Sequence, residues 1–320
     1  MSGQISFPKL KDRFSKRSAT YKKYFWGVNY VSLTLLILAS FVASFFGDSK
    51  GIVPIVSLIL FILSIVLPLS GVAGKFEREW RSARSNSEEI KSASWQLAVG
   101  GSRFPLSDND AEKHYGNELK EMASNAEYLE YRFKKGETDV QIPKSILCLR
   151  ECDIADRIDV YKKQRIDNQL EWYSNNISKN ATYRRRFQAA LVVTALAALI
   201  LGVLWAKDYN VSNYFGFMST LTMALLGCVW VGRFDELSLN YNKTAREVER
   251  ELSRFTEEAA HENEINPQQH DCLLVGGQEG QEGEENWAEI VDKFEEIFAR
   301  EHSLWLDEAD YGNSSSNYRK

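Results

Sequence analysis

The sequence predicts an all-α integral membrane protein whose four transmembrane helices form two hairpins, with long cytoplasmic helices gathered into a helical bundle. Three observations predict this class: four uncharged apolar runs, basic residues collected on one side of them, and charged segments between the runs that keep helical spacing. The runs are Tyr24 to Phe46, Ile52 to Val72, Phe187 to Ala206 and Tyr214 to Gly232, and none contains Asp, Glu, Lys, Arg or His. Each has about the 20 residues a helix needs to cross the ~30 Å hydrocarbon layer. A helix in a soluble core shows a polar stripe; these runs are apolar on every face and read as spans. Averaged over 320 residues, 44% hydrophobic and 26% charged would describe a soluble protein, so the segregation decides the class.

The first run is too long for a signal-peptide core and lacks a small-x-small cleavage site, so it is expected to stay as an anchor. Lys and Arg resist translocation, which sets the orientation. Lys9, Lys11, Arg13, Lys16, Arg17, Lys22 and Lys23 precede the first span against a single acid, Asp12. Lys75, Arg78, Arg81 and Arg84 follow the second span, and Lys179, Arg184, Arg185 and Arg186 precede the third. Both termini and the middle segment are therefore expected on the cytoplasmic side of the membrane. The short loops Gly47 to Lys50 and Lys207 to Asn213 then lie outside and close the hairpins. Tyr24, Phe25, Trp26 and Trp230 mark the inner interface, with Phe45, Phe46, Trp205, Tyr209 and Tyr214 at the outer one. Cys148, Cys152 and Cys272 fall on the reducing side and Cys228 within a span, so no disulfide framework is implied. Cys148 and Cys152 lack further ligands for a zinc tetrahedron, and no metal is expected.

The chain repeats internally. ATYKKYF at Ala19 to Phe25 returns as ATYRRRF at Ala181 to Phe187. After the hairpins, Lys75-Phe76-Glu77 returns as Arg233-Phe234-Asp235, and Glu89-Ile90 as Glu247-Val248. The organisation expected is two units in tandem, residues 1–145 and 146–310, followed by a disordered tail at 311–320.

Between the spans, Ser107 or Asp108 caps a helix expected to run to about Lys134, closed by Gly136. Pro143 separates it from a long helix, Ile146 to Phe187, that enters the third span directly. Gly276 to Glu285 reads as an acidic, Gly-rich linker. It precedes an amphipathic helix whose apolar face carries Trp287, Ile290, Val291, Phe294, Ile297, Phe298 and Trp305. That face docks on the bundle of the same chain, on a neighbouring subunit or on a partner.

Within the third span Ala190, Thr194, Ala198, Gly202 and Ala206 recur every four residues, and Gly216, Thr220, Ala224, Cys228 and Gly232 do so in the fourth. Small residues at this spacing suit close helix packing or, after oligomerisation, a pore lining. Ser32, Ser40, Ser44, Ser57 and Ser64 are the candidate polar linings of the first two spans; singly, such hydroxyls bond back to their own helix. Pro54 and Pro68 loosen the second span. Carriers, proton relays and voltage sensors need ionisable groups at depth, and the spans contain none, which excludes those classes. Lys22, Lys23, Arg184, Arg185 and Arg186 form an inner-face basic collar.

No Walker loop, dinucleotide fingerprint, zinc-protease motif or nucleophile elbow occurs. His114, His261, His270 and His302 stand isolated among charged residues. Neither catalysis, a cofactor nor a nucleic-acid partner is expected.

The stretch Tyr161 to Phe187, with Arg165, Asp167, Gln169, Trp172, Tyr173, Asn180 and Ala181, resembles the start of the SLATT family of two-transmembrane effector domains that accompany SMODS nucleotidyltransferases and SLOG sensors. Phe294 to Leu306 resembles the family's closing helix, and Trp80, Ala83 and Trp95 resemble its post-membrane stretch. Most of the chain is covered, as a tandem of two SLATT types. The first unit lacks the Gln-x-x-Trp-Tyr element, and the second lacks the paired tryptophans. The resemblance implies an oligomeric membrane effector of bacterial conflict systems that permeabilises the inner membrane on a nucleotide-linked signal, with a signalling or sensor protein as partner. It carries over no catalytic or nucleotide-binding residue. The rival expectation is a membrane scaffold that recruits cytosolic partners.

Overall fold

The computed structural model describes residues 4–46, 51–127, 141–265 and 281–314, without the side chains of 125–127, 258–265, 281–282 and 302–314. Every regular element among them is helical, in the order α1 Lys9–Phe46, α2 Ile52–Leu69, α3 Val72–Val99, α4 Ala111–Glu127, α5 Lys144–Arg150, α6 Ile154–Tyr161, a π-turn Lys162–Asp167, α7 Asn168–Ala206, α8 Ser212–Gly232, α9 Phe234–Ile265 and α10 Gln281–Ser314. Four helices are long and apolar enough to cross a membrane. Outside the described residues lie the loop 47–50, the expected end of the fourth helix near Lys134 and Gly136, His270, Cys272, the first part of the Gly-rich stretch and residues 315–320. Trp305, His261 and His302 are not among the described side chains.

The chain divides into two compact units that cut across the tandem repeats. An apolar unit comprises Ala19–Trp80 and Asn176–Leu239; a polar unit comprises Met1–Ser18, Arg81–Asn175 and Asn240–Lys320. Each draws on both halves of the sequence, and α1, α3, α7 and α9 have residues in both.

In the apolar unit the outward faces carry exposed apolar and aromatic side chains: Ile59, Leu63 and Val66 on α2, Val193, Leu196 and Ile200 on α7, and Trp230 on α8. Outward apolar surface of this extent marks a face that meets hydrocarbon or another protein surface rather than water. The second span ends earlier than Val72: α2 stops at Leu69 and α3 starts anew after Gly71, whose φ of +72° is left-handed and closes the turn. Between α7 and α8, Asp208 takes the left-handed conformation, and the amides of Lys207, Asp208 and Tyr209 bond the carbonyls of Leu204 and Trp205. These bonds satisfy the last turn of α7, as a helix end in or near a membrane requires.

The polar unit has an aromatic core. Trp95, Tyr115, Tyr161, Phe104, Trp287, Phe294 and Phe298 are almost fully buried. Tyr161 sits edge-on between Trp95 at 5.6 Å and Trp287 at 5.7 Å. The continuous helix expected from Ile146 breaks at Cys152 and Asp153. Asp153 is extended, with ψ at 154°, which suits a residue preceding a helix start, and the Arg157 side chain bonds the Cys152 carbonyl left free at the break. The stretch that reads as linker to Glu285 is helical from Gln281. Its early carboxylates favour the positive end of a helix, and Glu284 is ion-paired to Arg157. Residues 311–314, expected in a disordered tail, belong to α10, which continues to Ser314.

Candidate functional site

The small-residue stripes lie on the inward sides of their helices, except at Ala206, which is exposed. Ala198 and Ala224 are buried and Ala190, Thr194, Gly202, Gly216 and Thr220 half-buried, while Val192, Val193, Leu199, Met223 and Leu226 are exposed. Only some of the stripe glycines sit at close contacts. A Cβ at Gly202 would lie 3.1 Å from the Phe215 ring, so this glycine lets α8 approach α7. A Cβ at Gly216 would meet nothing within 4 Å. Gly232 is required locally: a Cβ there would collide with the ring of Phe234, across the turn where Arg233 is left-handed.

Hydroxyl groups divide the first two spans from the last two. On α7 and α8, Thr194 bonds the Ala190 carbonyl at 3.0 Å and Thr220 the Gly216 carbonyl at 3.0 Å, each within its own helix. On α1 and α2 the expectation of purely local bonding fails. Ser32 Oγ donates to the Ser64 carbonyl at 2.6 Å, and Ser57 Oγ to the Ala39 carbonyl at 3.0 Å. The first bond has a cause readable in the chain. Pro68 has no N–H, so the carbonyl four residues earlier, that of Ser64, loses its helical donor. In hydrocarbon an unsatisfied carbonyl costs several kcal/mol, and Ser32 supplies the missing hydrogen bond from the neighbouring helix. Pro54 lies in the first turn of α2, where a missing N–H has no consequence. Ser40, Ser57 and Thr220 come together at the wall of an otherwise apolar cavity of about 460 Å³, open at one side. Ser64 instead bonds Phe61 in its own helix.

The collar residues Lys22, Lys23, Arg184, Arg185 and Arg186 are all exposed. Lys22 lies over the Trp80 ring at 5.2 Å, and Arg184 pairs with Asp235 at 2.6 Å. Here the tandem repeat becomes a repeated contact. Tyr21 faces Phe76 with ring centroids 5.9 Å apart, and their counterparts Tyr183 and Phe234 are also 5.9 Å apart. In the polar unit the counterparts Ile90 and Val248 are both fully buried. Each repeat thus packs the entrance to its first span against the exit from its second through the same aromatic pair.

Two family models match in tandem: SMODS and SLOG-associating 2TM effector domain 3 over residues 8–158, and SMODS and SLOG-associating 2TM effector domain 1 over residues 161–305. The chain is a tandem SLATT protein. The two matches meet between residues 158 and 161, where α6 passes into the π-turn. Comparison with curated proteins and with solved structures finds no match.

Sequence reasoning misses a second cluster of this SLATT chain. Arg165, only 2% exposed, forms a two-pronged ion pair with Glu295, 3% exposed, at 2.8 and 2.6 Å. Tyr161 donates to the same carboxylate at 2.9 Å, and the guanidinium lies 4.5 Å over the Phe298 ring. Burial, with Glu295 next to it, pushes the Tyr161 hydroxyl well above its ordinary range. Burial alone would lower the Arg165 pKa, and the Glu295 charge raises it beyond the usual arginine value. Nearby, the end of α3 is closed by cations. Arg150 bonds the carbonyls of Leu97, Phe104 and Pro105, while Arg157 and the Trp287 indole both donate to the Val99 carbonyl. Such donors satisfy the orphan carbonyls and the negative end of the helix dipole. The signal is nonetheless present in the sequence: Arg165 shares a stripe with Ile158, Tyr161 and Tyr173, and Glu295 shares one with Val291 and Phe298. A charge on an apolar stripe announces a buried partner.

Proposed function

We propose that this SLATT protein is an effector of a bacterial conflict or anti-phage system that oligomerises in the inner membrane and permeabilises it on a nucleotide-linked signal. The family itself is one of two-transmembrane effector domains associated with SMODS and SLOG proteins. One observation carries the reading to permeabilisation. The four spans contain no Asp, Glu, Lys, Arg or His, yet three hydroxyl-bearing residues, Ser40, Ser57 and Thr220, line an otherwise apolar cavity in the spanning unit. Such spans suit an unselective opening between packed helices far better than coupled transport.

In this reading the spans are two hairpins, both termini and the helical bundle are cytoplasmic, and the polar unit holds the spans closed until a sensor or nucleotide-signalling partner engages it. The protein works without catalysis or a cofactor. Dye and ion leakage from liposomes holding the purified chain, with and without co-expressed signalling proteins, tests this. Leakage that depends on the chain supports the reading, and membranes that stay sealed under every activating condition remove it. The alternative, a scaffold that recruits cytosolic partners through the polar unit, predicts partner binding with no leakage in the same assay.

A further inference from the structure

The buried contacts of α10 have one polarity. From Gln281 to Glu301 the helix carries eight acids against Lys293 and Arg300. The groove it fills offers arginines: Arg157 meets Glu284, and Arg165 meets Glu295. Between these two pairs the Trp287 indole bonds the Val99 carbonyl at 3.0 Å, and Asp292 accepts from the Ser102 amide at 3.3 Å. The reverse pair, Arg300 with Glu247, lies at the exposed rim.

Both arginines are 2% exposed or less; Glu295 is 3% exposed and closes a fully buried pair, whereas Glu284 is 33% exposed and closes a half-buried one. Buried ion pairs gain little over apolar side chains of the same size, because desolvating both charges offsets their attraction. Breaking such a pair by removing one charge is costly, so it selects which helix fits more than it strengthens the fit. An arrangement that discriminates among helices more than it holds them suits a helix that yields to a chosen competitor.

We infer that α10 is a displaceable internal ligand, and that the groove lined by Arg157, Arg165 and Tyr161 is a receptor for an acidic amphipathic helix of a partner protein. The partner helix presents two carboxylates three turns apart, the spacing of Glu284 and Glu295, with a large aromatic side chain one turn after the first, as Trp287 stands here. Its arrival exchanges one set of carboxylates for another, so the arginines are not left unpaired once the exchange is complete. The inference goes beyond the effector reading and does not require the spans to conduct.

The test uses the full chain in detergent with a protease site placed within residues 266–280 and a fluorophore on the downstream fragment. After cleavage two unlabelled peptides compete for the groove: residues 281–314, and the same peptide carrying Glu284→Gln and Glu295→Gln. The fragment is expected to remain bound through gel filtration and to exchange with the acidic peptide over hours, the neutralised peptide needing about a hundredfold higher concentration. A fragment that never exchanges under excess peptide makes α10 permanent core and overturns the inference. Equal competition by both peptides overturns the carboxylate chemistry. If cleavage alone releases the fragment, the vacated groove is titrated directly with the two peptides: a hundredfold preference supports the receptor, and equal affinity overturns it. No arm depends on leakage, so this result and the fate of the effector reading are separable.

Discussion

The two pairs of spans solve the same packing problem by different means. In α1 and α2 the helices are joined by hydroxyl-to-carbonyl bonds, Ser32 to Ser64 and Ser57 to Ala39. In α7 and α8 the hydroxyls turn back on their own helices, and contact is made by a glycine against a ring, Gly202 on Phe215, beside the stacked pair Trp205 and Phe215 at 5.7 Å. The Ser32 bond originates in one residue. Pro68 removes a backbone donor from α2 and creates an acceptor that only another helix can satisfy; neither α7 nor α8 contains proline. A tandem duplication therefore does not give two copies of the same joint, even where the aromatic pairs at the entrances are matched.

Breaking the polar joint has the largest expected effect. Ser32→Ala leaves the Ser64 carbonyl buried and unpaired and is expected to lower stability by about 2 kcal/mol, measured by reversible unfolding in mixed micelles. Pro68→Ala restores the missing N–H, so in its presence Ser32→Ala costs about 1 kcal/mol less; an unchanged cost in this double-mutant cycle refutes the assignment. Next comes the apolar joint. Gly202→Leu forces the Phe215 ring aside and is expected to cost about 1.5 kcal/mol, whereas Gly216→Leu, facing open space, changes little. If the two glycines respond alike, close approach of α7 and α8 is not what Gly202 serves.

The contrast extends past the second span of each repeat. Lys91 corresponds by the repeat offset to Glu249, which is exposed, whereas Lys91 lies against Glu88 at 3.7 Å and Gln169 at 3.4 Å. Burial, with Arg165 close by, lowers the Lys91 pKa from 10.5 to about 8. Between about pH 8 and 10.5 the unfolded chain then binds a proton that the folded chain does not, so stability rises with pH across that window. Lys91→Met is accordingly expected to raise the melting temperature most at pH 7, with the gain shrinking towards pH 10; a gain independent of pH refutes the burial of this charge. Glu249→Met serves as the flat control. The smallest effect belongs to Thr220→Val, which removes a bond within one helix and is expected to change stability by less than about 0.5 kcal/mol in the same micelle assay.

Much of this architecture is legible in the amino-acid sequence. Uncharged runs of the right length locate all four spans, because transfer to hydrocarbon sums over neighbours in the chain. The repeat is equally visible, and its Tyr21–Phe76 and Tyr183–Phe234 contacts follow from it. Features that depend on remote partners are the ones that escape. The break at Asp153 has neither Gly nor Pro beside it to mark it. Glu284 and Glu285 look like linker because their composition resembles one, and only the Arg157 site gives Glu284 a reason to be helical. Ser32 reads as bonding locally because most span hydroxyls do; the exception needs Pro68 on another helix.

By itself the sequence determined the helical class, the four stretches long and apolar enough to cross a membrane, and the duplication, all of which follow from patterns local in the chain. Only the tertiary structure decided which hydroxyl rescues which carbonyl, which glycine admits a ring, and which carboxylate neutralises Arg165. Those choices rest on distances between groups remote in the chain, where a shift of an ångström separates a satisfied buried group from an orphaned one.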